Sequence, residues 1–237
     1  ALIVSLSLQI AVNYANDFSD GVRGTDSNRI GPTRLVASKL ASASSVKNAS
    51  IISFLIAAIA GTVLALNTSA WLIAVGCISI LAAWGYTGGK KPYGYLGFGE
   101  LSVFTFFGVV ATVGTYYVQT LEFSAAAFAA SVSMGSLSCA LLAINNIRDR
   151  AQDAQVGKKT LAVRLGDENS RRFFIALLAL PYIFAPLTGN PLAFLTLASA
   201  PHALAIAREV RAGATGEALI PLLGRTGQLQ LHFSLTF

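Results

Sequence analysis

The chain of 237 residues is 54% hydrophobic and only 12% charged, with a net charge of +6 and two cysteines. So few charges cannot cover a water-facing surface, so the composition argues against a soluble globular protein and for a membrane protein. Two cysteines with no metal-ligand spacing, Cys77 and Cys139, argue against a disulfide framework or a structural zinc site.

A bilayer-crossing helix needs about 20 apolar residues, with about 17–25 tolerated. Eight stretches qualify as candidates: residues 1–13, 49–66, 70–86, 101–118, 124–145, 173–188, 191–207 and 219–237. The first is short and lacks an initiating methionine, which predicts that a first helix is missing. The last is interrupted by Arg225, Gln228, Gln230 and His232. Threading the chain through eight crossings puts residues 14–48, 87–100, 146–172 and 208–218 on one side. Those loops hold sixteen of the seventeen Lys and Arg residues, and the loops opposite hold none. This asymmetry predicts a multi-pass protein of the cell membrane whose long polar loops face the cytoplasm. The positive charge then serves topology and anionic ligands, and calls for no nucleic acid. One domain over residues 1–237 is expected, with a weak internal repeat of helix, polar motif and basic loop beginning at residue 1 and near residue 124.

In chain order, the first polar motif is Asn13-x-x-Asn16-Asp17-x-x-Asp20, with Asp26 close behind. The second is Asn145-Asn146-x-Arg148-Asp149-x-x-x-Asp153, followed by Gly157 and Lys158. The chain has eleven acidic residues, and five of them lie in these two stretches. A carboxylate beside hydrocarbon is costly, about 3 kcal/mol at a helix centre, so such clustering predicts function. If helices continue into the motifs, Asn13, Asn16, Asp17 and Asp20 form one stripe, and Asn145, Asp149 and Asp153 another. Carboxylate and amide oxygens on such stripes suit Mg²⁺, and the absence of His and Cys from both motifs argues against zinc, copper or iron. Four aspartates and a diphosphate ester together outweigh two Mg²⁺ ions, so basic residues are needed as well. Arg23, Arg29, Arg34, Lys90, Lys91, Arg148, Lys158 and Arg164 are the candidates. Metal-bridged diphosphate beside an apolar bundle predicts a lipid diphosphate substrate.

These two motifs resemble the Asp-rich pair of the UbiA-type intramembrane prenyltransferases. The resemblance extends to the branch acting on 1,4-dihydroxy-2-naphthoate in menaquinone synthesis. It is carried by Asp20-x-x-x-Gly-x-Asp26, Tyr86-Thr-Gly-Gly89, Gly99-Glu100-Leu101, the run Gly108 to Thr120 and the run Gly157 to Gly166. The resemblance implies an all-α transmembrane bundle, nine-helical in the family and about eight-helical here. It also implies Mg²⁺-dependent prenyl transfer from a polyprenyl diphosphate to the naphthoate, with release of diphosphate and CO₂. Asp17, Asp20, Asp149 and Asp153 would then be catalytic and hold the metals, supported by Asn13 and Asn145. Asn16, Arg23, Asp26, Tyr86, Lys90, Lys91, Asn146, Arg148, Lys158 and Arg164 would bind substrate.

Blander readings stand beside these. Lys158, Lys159 and Arg164 are also explained as topogenic charge, and His202 and His232 as interfacial polar residues. Two other functions compete: prenyl transfer to another acceptor, such as 4-hydroxybenzoate, homogentisate or a chlorin, and cation transport. A transporter would place its carboxylates near the bilayer midplane rather than at one face.

Overall fold

The computed structural model describes residues 1–25, 31, 33–89 and 92–237. Every regular element among the described residues is helical, as expected for a membrane bundle in which each backbone group must be paired within its own segment. The chain divides into two compact units, Ala1–Leu96 and Gly97–Phe237.

The first unit contains α1 (Leu2–Arg23), α2 (Ala43–Asn67) and α3 (Leu72–Thr87), then a 3₁₀ turn over Tyr93–Leu96. Helix α1 does not stop at residue 13; it runs unbroken through the first polar motif. Gly24 ends it at φ 70°, its amide donating back to Asp20 and Gly21. Ser42 starts α2 by accepting the Ser45 amide. Small residues let α1 and α2 approach closely: Ala11, Ala15 and Ala57 are buried, and Ser50 Oγ donates to the Ala11 carbonyl at 2.8 Å. The other side of α2 shows Ile52, Leu55, Ile59, Val63 and Leu66 to the surroundings, an apolar face that suits lipid.

The second unit contains α4 (Gly99–Thr120), α5 (Ala125–Gln155), α6 (Leu161–Phe184), α7 (Ala200–Arg211) and α8 (Leu219–Thr236). Its core is built from Leu137, Ile144, Phe174, Ile206, Leu222, Leu229 and Phe233, all fully or almost fully buried. Helix α4 winds as a π-helix over Phe104–Val110. There Gly108 crosses α5 so closely that a Cβ would meet Gly135 Cα at 2.7 Å. Helix α6 is kinked at Gly166, whose φ of 77° is open mainly to glycine.

Among the described residues four helices are long and apolar enough to span a membrane: Ala43–Asn67, Gly99–Thr120, Ala125–Gln155 and Leu161–Thr188; α3 is a shorter apolar helix. The expected crossing over residues 191–207 is not one helix. A 3₁₀ stretch, Pro191–Ser199, leads into α7, and Pro201 in the first turn of α7 is the reason. Lacking an amide hydrogen, proline opens a helix readily but disfavours continuing one from before.

Candidate functional site

In the first unit the polar motif lies within the last three turns of α1. Asp17 and Asp20 are buried, Asn16 is half-buried and Asn13 is exposed. Each aspartate faces a different part of the unit. The Asp17 carboxylate receives two backbone amides from the segment after α1: Leu35 N–H on Oδ2 at 2.8 Å and Val36 N–H on Oδ1 at 3.0 Å. Gly21 lets that segment lie against α1, since a Cβ there would sit 2.5 Å from Val36 Cγ1. The Tyr95 hydroxyl donates to the Asp20 carboxylate.

Arg23 is turned toward the end of α3. It donates to the carbonyls of Thr87, at 2.8 Å, and Gly89, and lies 5.4 Å from the Tyr95 ring centre. Thr87 in turn donates to Asn16 Oδ1 at 3.4 Å. Asn16, Asp20 and Arg23 thus form one network with Thr87, Gly89 and Tyr95. Asn13 stays outside it, its amide bonded to the Gln9 carbonyl of its own helix. Tyr86 packs edge-on against Tyr93, with ring centres 5.6 Å apart. The expectations for Asp26, Arg29, Lys90 and Lys91 fall outside the described residues.

In the second unit, α5 is long enough to carry the whole second motif. Arg148, almost fully buried, grips Asp149 through Nε at 2.6 Å and Nη2 at 2.7 Å, and Nη2 also donates to Asn145 Oδ1 at 2.6 Å. Its Nη1 is buried without a hydrogen-bond partner. One turn further on, Lys158 folds back over Asp153: its amide donates to the Asp153 carbonyl at 2.8 Å, and Nζ lies 4.0 Å from Oδ1. Gly157, at φ 78°, makes that reversal. Exposed Arg164 donates to the Lys159 carbonyl and packs against Gly97, where a Cβ would stand 2.8 Å from Nε.

Besides Thr87, two residues whose side chains touch the motifs had no assigned role in the sequence. Tyr95 bonds Asp20, and nothing in the local pattern distinguishes it from Tyr93. Glu100, buried in the first turn of α4, accepts the Asn146 amide at 2.9 Å. The signal for Glu100 was available: it is an acidic residue at the head of an apolar helix, where a carboxylate is costly unless used.

The motif donors are carboxylate and amide oxygens, the hard ligands that suit Mg²⁺ rather than a softer metal. The two amides on Asp17 use two of the roughly four acceptor positions of a carboxylate and leave room for a cation. Among the described residues no group of three or more His, Cys, Asp or Glu side chains is gathered tightly enough to hold a metal without further ligands. Mg²⁺ characteristically keeps waters and shares substrate phosphates, so the donor chemistry fits a metal that arrives with its substrate.

The UbiA prenyltransferase family matches residues 1–217. The chain belongs to this family. Among its UbiA relatives, the 1,4-dihydroxy-2-naphthoate octaprenyltransferase of Mycobacterium tuberculosis is 51% identical, the match covering 99% of this chain and 81% of that protein. The enzyme of the same name from Mycobacterium leprae is 46% identical over 96% and 78%, and that from Escherichia coli K12 is 36% identical over 100% and 81%. As a UbiA-family protein with four span-length helices, the chain is a multi-pass membrane protein.

Proposed function

We propose that this protein transfers a polyprenyl group from polyprenyl diphosphate to 1,4-dihydroxy-2-naphthoate, releasing diphosphate and CO₂ and giving demethylmenaquinol. The observation that carries the reading is the 51% identity, over nearly the whole chain, to an enzyme of that name. The residues support it in kind. Each unit carries one Asp-bearing helix end, Asp17 and Asp20 in one and Asp149 and Asp153 in the other. In each unit the aspartate pair, supported by Asn13 in the first and Asn145 in the second, would hold Mg²⁺, which as a Lewis acid would stabilise charge on the departing diphosphate.

The chain's own groups do the rest. Arg148 fixes the Asp149 carboxylate in one orientation, and its buried Nη1 suits an incoming diphosphate oxygen. Lys158, held beside Asp153, supplies a second positive charge. Arg23 holds the carbonyls of Thr87 and Gly89 at the end of α3. As the allylic C–O bond breaks and the ring carbon forms the new C–C bond, the carboxyl group leaves as CO₂. The apolar helices keep water from the cation-like carbon. Charge asymmetry supports a cell-membrane protein with these loops in the cytoplasm.

The test uses protein in detergent with a prenyl diphosphate and 1,4-dihydroxy-2-naphthoate, with and without Mg²⁺. CO₂ release together with product mass decides it. Metal-dependent release with the mass of the prenylated ring is the expected result. Product from another phenolic acid only would discard the acceptor, and no product from any acceptor would discard prenyl transfer.

A further inference from the structure

Glu100 is buried, yet only one of its two carboxylate oxygens has a hydrogen-bond partner. Oε1 accepts Asn146 Nδ2 at 2.9 Å, and Oε2 is enclosed with none. A buried polar atom without a partner is costly, so a chain selected only for stability would do better with an apolar residue here. The bond itself fixes something that packing does not. An amide is nearly symmetric in shape but not in chemistry, with two donors on one arm and an acceptor on the other. By receiving the nitrogen arm, Glu100 leaves the oxygen arm of Asn146 outside that contact, able to meet another partner. Oε1 can do this with or without a proton on Oε2.

The outward polarity identifies the ligand class. Asn146, Asp149 and Asp153 are spaced 0, 3 and 7 along α5, so they share one face. A diphosphate at neutral pH offers oxygens and no donors, so it would be met by an amide nitrogen. An outward carbonyl oxygen meets a cation or the water bound to one. We infer that Glu100 is a positioning residue that sets the polarity of Asn146, making Asn146 an oxygen ligand on the metal side of the site rather than a diphosphate ligand. The Cys139 thiol, donating to the Glu100 carbonyl at 3.1 Å, helps hold the turn that carries it. This inference rests on the proposed metal-dependent reaction.

The experiment measures Mn²⁺ binding to the detergent-solubilised protein by the loss of the free-ion electron paramagnetic resonance signal, with inorganic diphosphate present. The apparent Mg²⁺ requirement of prenyl transfer is measured in parallel. Replacing a group that orients a metal ligand typically costs about 10–100-fold in metal affinity, so Glu100→Leu is expected to weaken Mn²⁺ by at least about tenfold. Asn146→Asp faces two carboxyl groups toward each other and is expected to lose a similar factor. The double variant Glu100→Gln with Asn146→Asp restores an amide–carboxylate contact with donor and acceptor exchanged, still leaving an oxygen outward. It is expected to recover most of the loss, a coupling that a merely structural role would not produce. Wild-type Mn²⁺ affinity in folded Glu100→Leu, or a double variant no better than Asn146→Asp alone, overturns the inference. Prenyl transfer by the wild type tests the function separately, since the Mn²⁺ pattern is read without turnover.

Discussion

Replacing Asp17 separates two jobs that one carboxylate performs. Its two oxygens hold the amides of Leu35 and Val36 at 2.8 and 3.0 Å, and the side chain is buried. A hydrogen bond to a charged group contributes about 1.5–3 kcal/mol, so Asp17→Ala should loosen this segment by about 3–6 kcal/mol. Asp17→Asn keeps one acceptor but turns an NH₂ group toward the other amide, and should cost about half as much. Hydrogen exchange at Leu35 and Val36, followed by mass spectrometry, reads this directly. At about 1.4 kcal/mol per factor of ten, Asp17→Ala should speed exchange at least about a hundredfold, with Asp17→Asn between it and wild type. Both variants should also lose prenyl transfer. Unchanged exchange in Asp17→Ala would refute the anchoring argument and leave metal binding as the only role for this group. Fast exchange with full activity would refute the opposite half.

Three further outcomes are expected. Gly108→Ala drives a methyl into the Gly135 backbone, which cannot yield as a side chain would, and should cost about 1–3 kcal/mol in thermal denaturation in detergent. Arg171→Met removes a 2.7 Å bond from the charged guanidinium, Nη1 to the Val210 carbonyl, about 1.5–3 kcal/mol. It also removes a pair with Asp167, whose side chain is 43% exposed, so that part is screened to at most about 1 kcal/mol. Together these should lower the melting temperature by several degrees without changing the KM for either substrate. Lys158→Ala should raise the apparent KM for the prenyl diphosphate about tenfold, the equivalent of about 1.4 kcal/mol. No change would make that lysine a topological charge only.

What could be read in the sequence was whatever repeats along one helix. Stripes at spacings of three and four need only a continuous helix, and α1 and α5 both continue through their motifs. Hydropathy likewise located the long apolar helices, because lipid imposes one length on all of them. Contacts made across elements were hidden. Tyr95 reaches Asp20 from 75 positions away, and Glu100 meets Asn146 across 46. Arg23 reads in the sequence as a cation for diphosphate; that its hydrogen bonds go to carbonyls at the end of α3 could not be read there, since that target has no side-chain signature. Pro201 could have warned that residues 191–207 would not form one helix. A run of apolar residues reports burial, and only the missing amide hydrogen reports where the winding restarts.

The π-helical stretch over Phe104–Val110 has an effect on everything that follows it in α4. Closing rings to the fifth residue rather than the fourth accommodates a residue beyond the α-helical count. Each residue of an α-helix turns the chain by about 100°, so the faces of α4 before and after this stretch are out of phase by roughly that angle. A helical wheel drawn continuously from Gly99 to Thr120 would therefore assign Tyr116 and Tyr117 to the wrong side. Deleting one residue within the stretch would restore a uniform helix of the same apolar composition. A deletion ahead of Gly108 would also turn Glu100 relative to Gly108 by about 100°, setting the contact with Asn146 against the crossing with Gly135.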